Sequence, residues 1–219
     1  MSKLPPVIAI DGPSASGKGT VAQRVAQRLG FHYLDSGALY RIIALAAVKN
    51  GVLWSDSSRL ADLAKSLQIQ FKNDEIFLSG ACVTQAVRAE EISRGASEVA
   101  IHPALRLVLL NLQHDFRQQP GLVADGRDMG SVVFKDAQLK IYLTASVEIR
   151  AERRFNQLAA KSTAANFNQI LYDLKIRDDR DSQRSAAPLL QTDDALLLNT
   201  NNLSVDAAVD WVIAAYNNL

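Results

Sequence analysis

Apolar positions along the chain alternate between short unbroken runs and stripes at helical spacing, and this alternation predicts the architecture. Val7-Ile8-Ala9-Ile10 is a partly β-branched run of the kind that forms a strand buried on both faces. Phe31-His32-Tyr33-Leu34, Leu122-Val123-Ala124, Leu139 to Leu143 and Leu196-Leu197-Leu198 repeat that pattern. Between them lie helical stripes. Val21, Val25, Ala26 and Leu29 form the first, and Gly30 stands where that helix should stop. Asp35-Ser36 can cap a second through Leu39, Ile42, Ile43 and Ala46 to about Asn50, and residues 55–67 form a third. Ile92, Ala96, Val99 and Ala100 predict a helix that breaks at His102-Pro103 and resumes from Pro103 to about Gln118. Ser146 and Ser204 cap two further helices, and a helix start lies in the polar region 161–168. Strands alternating with helices predict an α/β protein with an open parallel sheet, whose ligands bind beyond the carboxyl ends of the strands.

One region breaks this rhythm. Ile69 and Phe71 alternate with polar residues, Asn73-Asp74 is a turn signal, and Ile76-Phe77-Leu78 and Ala81-Cys82-Val83 flank Ser79-Gly80. The pattern predicts a small antiparallel meander, carried by an insert over residues 66–100, within a single domain spanning residues 1–219.

The stretch after the first strand carries the chemistry. Gly12, Pro13, Ser14, Ala15, Ser16, Gly17 and Lys18 fit G-x-x-x-x-G-K, a loop whose glycines let backbone N–H groups turn around phosphate oxygens at a helix N-terminus. Lys18 is placed to neutralise the β and γ phosphates of a nucleotide. Gly19 follows where the general motif has Ser or Thr for magnesium, and Thr20 comes next, so no side chain is assigned as a metal ligand. The GKGT ending resembles the nucleoside monophosphate kinases.

Composition narrows the class without naming the chemistry. The chain has 219 residues, enough for one large domain and short for two independent ones, with 48% hydrophobic and 21% charged residues as in ordinary globular proteins. With 24 basic against 23 acidic side chains there is no global attraction to nucleic acid or anionic membrane. Cys82 is the single cysteine and is expected in a strand; residues 1–6 lack the apolar core of a signal peptide, and no apolar run approaches a membrane span. The expectation is a cytoplasmic protein. His32, His102 and His114 are scattered, with no metal-ligand spacing.

Positive charge is concentrated locally. Arg177, Arg180, Asp181 and Arg184 fall on one face of a helix, and Arg150, Arg153 and Arg154 form a second such group leading into a polar connection, a candidate lid over residues 148–165. Either group could be a solvated, ion-paired surface. Beside a phosphate loop the other possibility is that they surround a transferring phosphoryl group, whose catalysis rests on positioning and positive charge. Asp35, Ser36, Tyr40 and Arg41 lie at a strand's carboxyl end, where Asp35 and Ser36 could equally serve only as caps.

The strings IDGPSASGKGT, LDSGALYR, ADGRDMGSVVF and RDDRDSQRSAAPL, in that order over residues 7–190, resemble bacterial cytidylate kinase. The resemblance implies a P-loop NTPase fold, with a five-stranded parallel sheet between helices, a short lid and a small antiparallel NMP-binding insert. It also implies transfer of the γ-phosphoryl group of ATP, with Mg2+, to CMP or dCMP, giving CDP or dCDP and ADP in pyrimidine nucleotide metabolism. By this similarity Gly12 to Thr20 bind ATP, and Lys18, Arg127, Arg150, Arg153 and Arg184 are catalytic. Ser36, Tyr40, Arg41, Arg127 and Arg184 lie on the acceptor side, Ser97, Arg106 and Asp128 read cytosine, and Arg177 and Asp181 face the sugar. The expected partners are ATP and CMP or dCMP, with no nucleic acid and no membrane, and a monomer is expected. Two competing readings are a P-loop kinase of another small acceptor and a GTPase-like switch. The switch lacks an Asn-Lys-x-Asp signature and leaves the arginines unexplained.

Overall fold

A computed structural model describes residues 4–72, 75–160 and 165–219, and the chain divides into two compact units, Met1–Leu34 with His114–Leu219, and Asp35–Gln113. The expected turn at Asn73-Asp74 and the start of the 161–168 region, residues 161–164, lie outside the described residues.

The first unit is built on a sheet of five strands, β1 (Val7–Asp11), β2 (His32–Asp35), β6 (Leu122–Gly126), β7 (Leu139–Thr144) and β8 (Leu196–Asn199), in the order β2-β6-β1-β7-β8. β1 is central and runs parallel to both neighbours, with Ile8 opposite Val123 on one side and Leu139 on the other. All five of its residues are buried, which is why the run is almost wholly apolar. Helix α1 (Lys18–Leu29) turns Val21, Ala22, Val25 and Ala26 onto Ile8, Ile10, Val123 and Ile141, and α8 (Val205–Asn217) adds Val209 and Val212 to the same core. Gly30 ends α1 in a left-handed conformation, with Phe31 N–H donating to Ala26 O at 2.9 Å, as a Schellman cap requires.

Gly12 is where the sheet admits no side chain. A Cβ there would lie 2.0 Å from the Leu143 carbonyl oxygen on β7, so the chain leaves β1 pressed against the neighbouring strand's backbone. Asp11, the last residue of β1, accepts hydrogen bonds from Met129 N–H and Gly130 N–H, both at 2.8 Å. That clamp holds a π-helical turn over Met129–Val133, for which the sequence carries no local signal.

Helices α6 (Val147–Ala159) and α7 (Phe167–Gln183) also belong to this unit, capped by Ser146 and Asn166. α7 stops one residue short of Arg184, which is extended (φ −62°, ψ 139°) and donates through Nε to Ala187 O at 2.7 Å. The expectation that Arg184 shares a helical face with Arg177, Arg180 and Asp181 is therefore corrected. The chain turns back after Gln183 because Leu189 N–H closes onto Asp181 O at 2.8 Å.

The second unit contains α2 (Ser36–Lys49), α3 (Ser57–Ser66) and a three-stranded antiparallel sheet of β3 (Ile69–Lys72), β4 (Glu75–Leu78) and β5 (Ala81–Cys82), followed by α4 (Glu90–Val99) and most of α5 (Pro103–Asp115). α5 ends at Asp115, three residues before the expected end near Gln118. Asp35 caps α2 through Ala38 N–H at 2.9 Å, and Asp56 caps α3. Ile76, Leu78, Val83 and Val87 pack with Ala38, Ile42, Leu45 and Ile92, so the meander's apolar alternation faces α2 and α4. Gly95 of α4 is needed because the Trp54 ring lies where its Cβ would be, at 2.4 Å.

Candidate active site

In the first unit the loop between β1 and α1 is shaped by two left-handed residues at alternate positions, Ala15 (φ 59°) and Gly17 (φ 91°, ψ 0°). Such alternation turns successive N–H groups to one side and makes a concavity for anions, here at the N-terminus of α1. Lys18 is buried in the first turn of the helix, with Nζ 3.4 Å from Pro13 O. Ser16 Oγ is buried and has no hydrogen-bond partner among the described residues, which makes it a donor available to a phosphate oxygen. Thr20 is exposed on α1.

Three arginines from two segments converge on this loop. Arg127, just past β6, donates Nη2 to Ser14 Oγ at 2.7 Å and Nε to Asp181 Oδ2 at 2.7 Å. Arg150 of α6 is buried and donates Nη1 to Ser14 O at 3.0 Å, Nε to Ala145 O at 3.0 Å and Nη2 to Asp178 Oδ2 at 2.6 Å. Arg153, one turn on, donates Nη1 to Ser16 O and Thr200 Oγ1, both at 3.1 Å, and Nη2 to Thr200 O at 2.6 Å. Arg154 instead donates to Gln157 Oε1.

Burial sets the electrostatics. It would raise the Asp181 carboxyl, but Arg127, then Arg177 and Arg184, outweigh it and hold the group below the ordinary carboxylate range. Burial alone would lower Arg127; Asp181 overrides that and raises it. For Asp11 burial wins over its two N–H donors and pushes the carboxyl up to about 7. Asp128 is buried, with Arg184 Nη2 3.8 Å from its Oδ1.

Two acidic groups escaped the sequence reasoning. Asp125, at the end of β6, accepts from the Tyr33 hydroxyl at 2.6 Å, and a Cβ on Gly19 would lie 3.8 Å from each of its carboxylate oxygens. An acid closing an otherwise apolar strand beside the phosphate loop was the available signal for both Asp11 and Asp125. Thr200, which holds Arg153, had no local signal at all. Among the described residues no group of three His, Cys, Asp or Glu side chains could hold a metal ion, and each histidine ring bonds a backbone carbonyl.

In the second unit, Ser36 donates to Gln113 Oε1 at 2.8 Å, and Arg41 pairs with Asp35 at 2.5 Å. The Arg106 guanidinium lies 5.7 Å from the centre of the Tyr40 ring and donates to Ala100 O at 3.3 Å. Ser97 is buried on α4.

A family model described as cytidylate kinase matches residues 8–218. The chain belongs to the cytidylate kinase family. Among the curated cytidylate kinases, that of Polynucleobacter necessarius is 56% identical over 97% of this chain and 99% of its own, and that of Chromobacterium violaceum 56% identical over 95% and 94%. A solved gluconokinase from Sinorhizobium meliloti, 13% identical, aligns over 99% of this chain and 94% of its own with a TM-score of 0.50, a likeness of fold alone. Membership in the cytidylate kinase family makes the chain a nucleoside monophosphate kinase, and the loop around Lys18 is its P-loop.

Proposed function

We propose that this enzyme is a cytidylate kinase, transferring the γ-phosphoryl group of ATP to CMP or dCMP and releasing ADP. The observation that carries the reading is Arg127, a half-buried guanidinium held between Asp181 and Ser14 of the P-loop. Phosphoryl transfer demands such fixed positive charge, because its transition state spreads negative charge over the equatorial oxygens. Lys18 and the loop N–H groups hold the donor phosphates, and Arg184 adds charge beside Asp128.

On the acceptor side, Ser36, Tyr40, Arg41 and Arg127 serve the phosphate, Ser97, Arg106 and Asp128 the cytosine, and Arg177 and Asp181 the sugar. Cytosine presents an amino donor and ring acceptors, so an acid paired with arginine and hydroxyl donors suits it. The insert over residues 66–100 forms the NMP-binding part and residues 148–165 the lid, in a cytoplasmic monomer. Asp125 is the side chain that would hold magnesium; one carboxylate and no hydroxyl at Gly19 suit an ion bound largely through phosphates and water. Magnesium, when bound, neutralises phosphate charge.

An ADP-release assay across CMP, dCMP, UMP, AMP and no acceptor tests the reading. Turnover concentrated on CMP and dCMP supports it; preference for another acceptor, or release without one, overturns it. Asp128→Asn is expected to erode the CMP over UMP ratio of kcat/KM, and equal loss with both acceptors removes Asp128 from base reading.

A further inference from the structure

A loop that turns its N–H groups inward around an anion must turn carbonyls outward, and buried outward carbonyls need donors. Ser14 O and Ser16 O are two such carbonyls, each belonging to the peptide that precedes a left-handed residue, Ala15 and Gly17. Each receives one arginine of α6: Arg150 at Ser14 O, 3.0 Å, and Arg153 at Ser16 O, 3.1 Å. Their spacing of one helical turn matches the alternate positions in the loop.

We infer that Arg150 and Arg153 are positioning residues that brace the P-loop from its outer side, with Asp178 and Thr200 holding the two guanidinium groups in place. The inference rests on the P-loop kinase reading above but not on the identity of the acceptor. Both guanidinium groups are already committed. Arg150 also donates to Ala145 O and Asp178 Oδ2, while the other oxygen of Asp178 is buried with no hydrogen-bond partner among the described residues, so Arg150 supplies the hydrogen-bonded charge opposite this acid. Arg153 is anchored to both oxygens of Thr200, whose hydroxyl also reaches Thr144 O at 3.2 Å, tying the brace to the end of β7. Ala15 gives the brace a task, because a residue with a Cβ does not hold a left-handed conformation unaided. Each guanidinium is anchored through both of its Nη atoms, so swinging it away onto a transferring phosphoryl group would break these bonds.

The test is the mobility of the loop in ligand-free protein. Backbone order parameters from 15N relaxation are expected to fall at Ser14–Gly17, from about 0.85 to below roughly 0.6, in Arg153→Ala and in Asp178→Ala, with β1 and α8 unchanged. ADP affinity, measured without acceptor, falls alongside. Asp178→Asn, which keeps an oxygen for Arg150, retains most of the order. Should Arg150→Ala fail to fold, the other variants still answer the question. Unchanged order at Ser14–Gly17, or a fall in kcat with loop order and ADP affinity intact, overturns the brace. Because no acceptor is present, a loosened loop in the variants together with failed CMP turnover by the parent protein keeps the brace and rejects the acceptor.

Discussion

The two units arrange their arginines in different ways. In the first, bonds that place guanidinium groups on the P-loop join residues far apart in sequence: Arg127 and Ser14 are 113 positions apart, Arg150 and Ser14 136, Arg153 and Ser16 137. In the second, Arg41 is held by Asp35 and Arg106 by Ala100, each six positions away. Long-range bonds need the whole sheet assembled before they form, so the donor side is pre-organised by tertiary structure, as a site that stabilises transition-state charge requires. The Arg41 bond forms within α2 and its cap and the Arg106 bond across the α4–α5 connection, so nearby chain places both guanidinium groups, although Ser36 is held by Gln113 from 77 positions away.

The largest effect that separates the two is expected at Asp181. Asp181→Ala leaves the half-buried Arg127 without its acid, and breaking a buried pair in this way costs up to about 3–5 kcal/mol of stability. Urea unfolding reads the loss; a change within experimental scatter would mean that Arg127 is not held by Asp181. Next in size is Lys18→Ala, for which a fold unchanged by circular dichroism and a loss of about 2.7–4 kcal/mol in transition-state stabilisation are expected in kcat/KM. Near-normal turnover would remove Lys18 from the donor site.

The local arrangement predicts a smaller effect in the second unit. Asp35→Ala removes both the α2 cap and the partner of Arg41, at about 1 kcal/mol of stability, and should raise the KM for CMP while leaving that for ATP alone. Parallel loss for both nucleotides would contradict a local role. The last effect is a slope of stability with pH. The Asp11 carboxyl, at about 7 in the folded protein against 3.8 ordinarily, contributes stability that is full below pH 3.8 and is lost as pH rises through 7. Asp181, held low, acts in the opposite sense: its contribution is present above pH 3.8 and is lost on acidification below it. Melting temperatures of the ligand-free protein and of Asp11→Asn, compared between pH 4.5 and 8, should therefore diverge: the parent's advantage shrinks as pH rises, and a constant difference would deny the raised group.

Sequence order alone was enough for much of this protein. The strand runs and helical stripes, the caps at Asp35, Ser146 and Ser204, the antiparallel meander and the phosphate loop each depend on residues within one turn or one strand of each other. Local sterics and hydrogen bonding decide such features, so they can be read from neighbours in the chain. Tertiary structure alone decided that Arg184 leaves the helix, that Asp11 clamps a turn more than a hundred residues away, and that Thr200 holds Arg153. It also decided which arginines are solvated and which are buried, since a guanidinium's partners come from whichever strands and helices the core brings beside it. Charge patterning along a helix shows that a face is polar. What that face meets is set by the packing of segments that have no relation in the sequence.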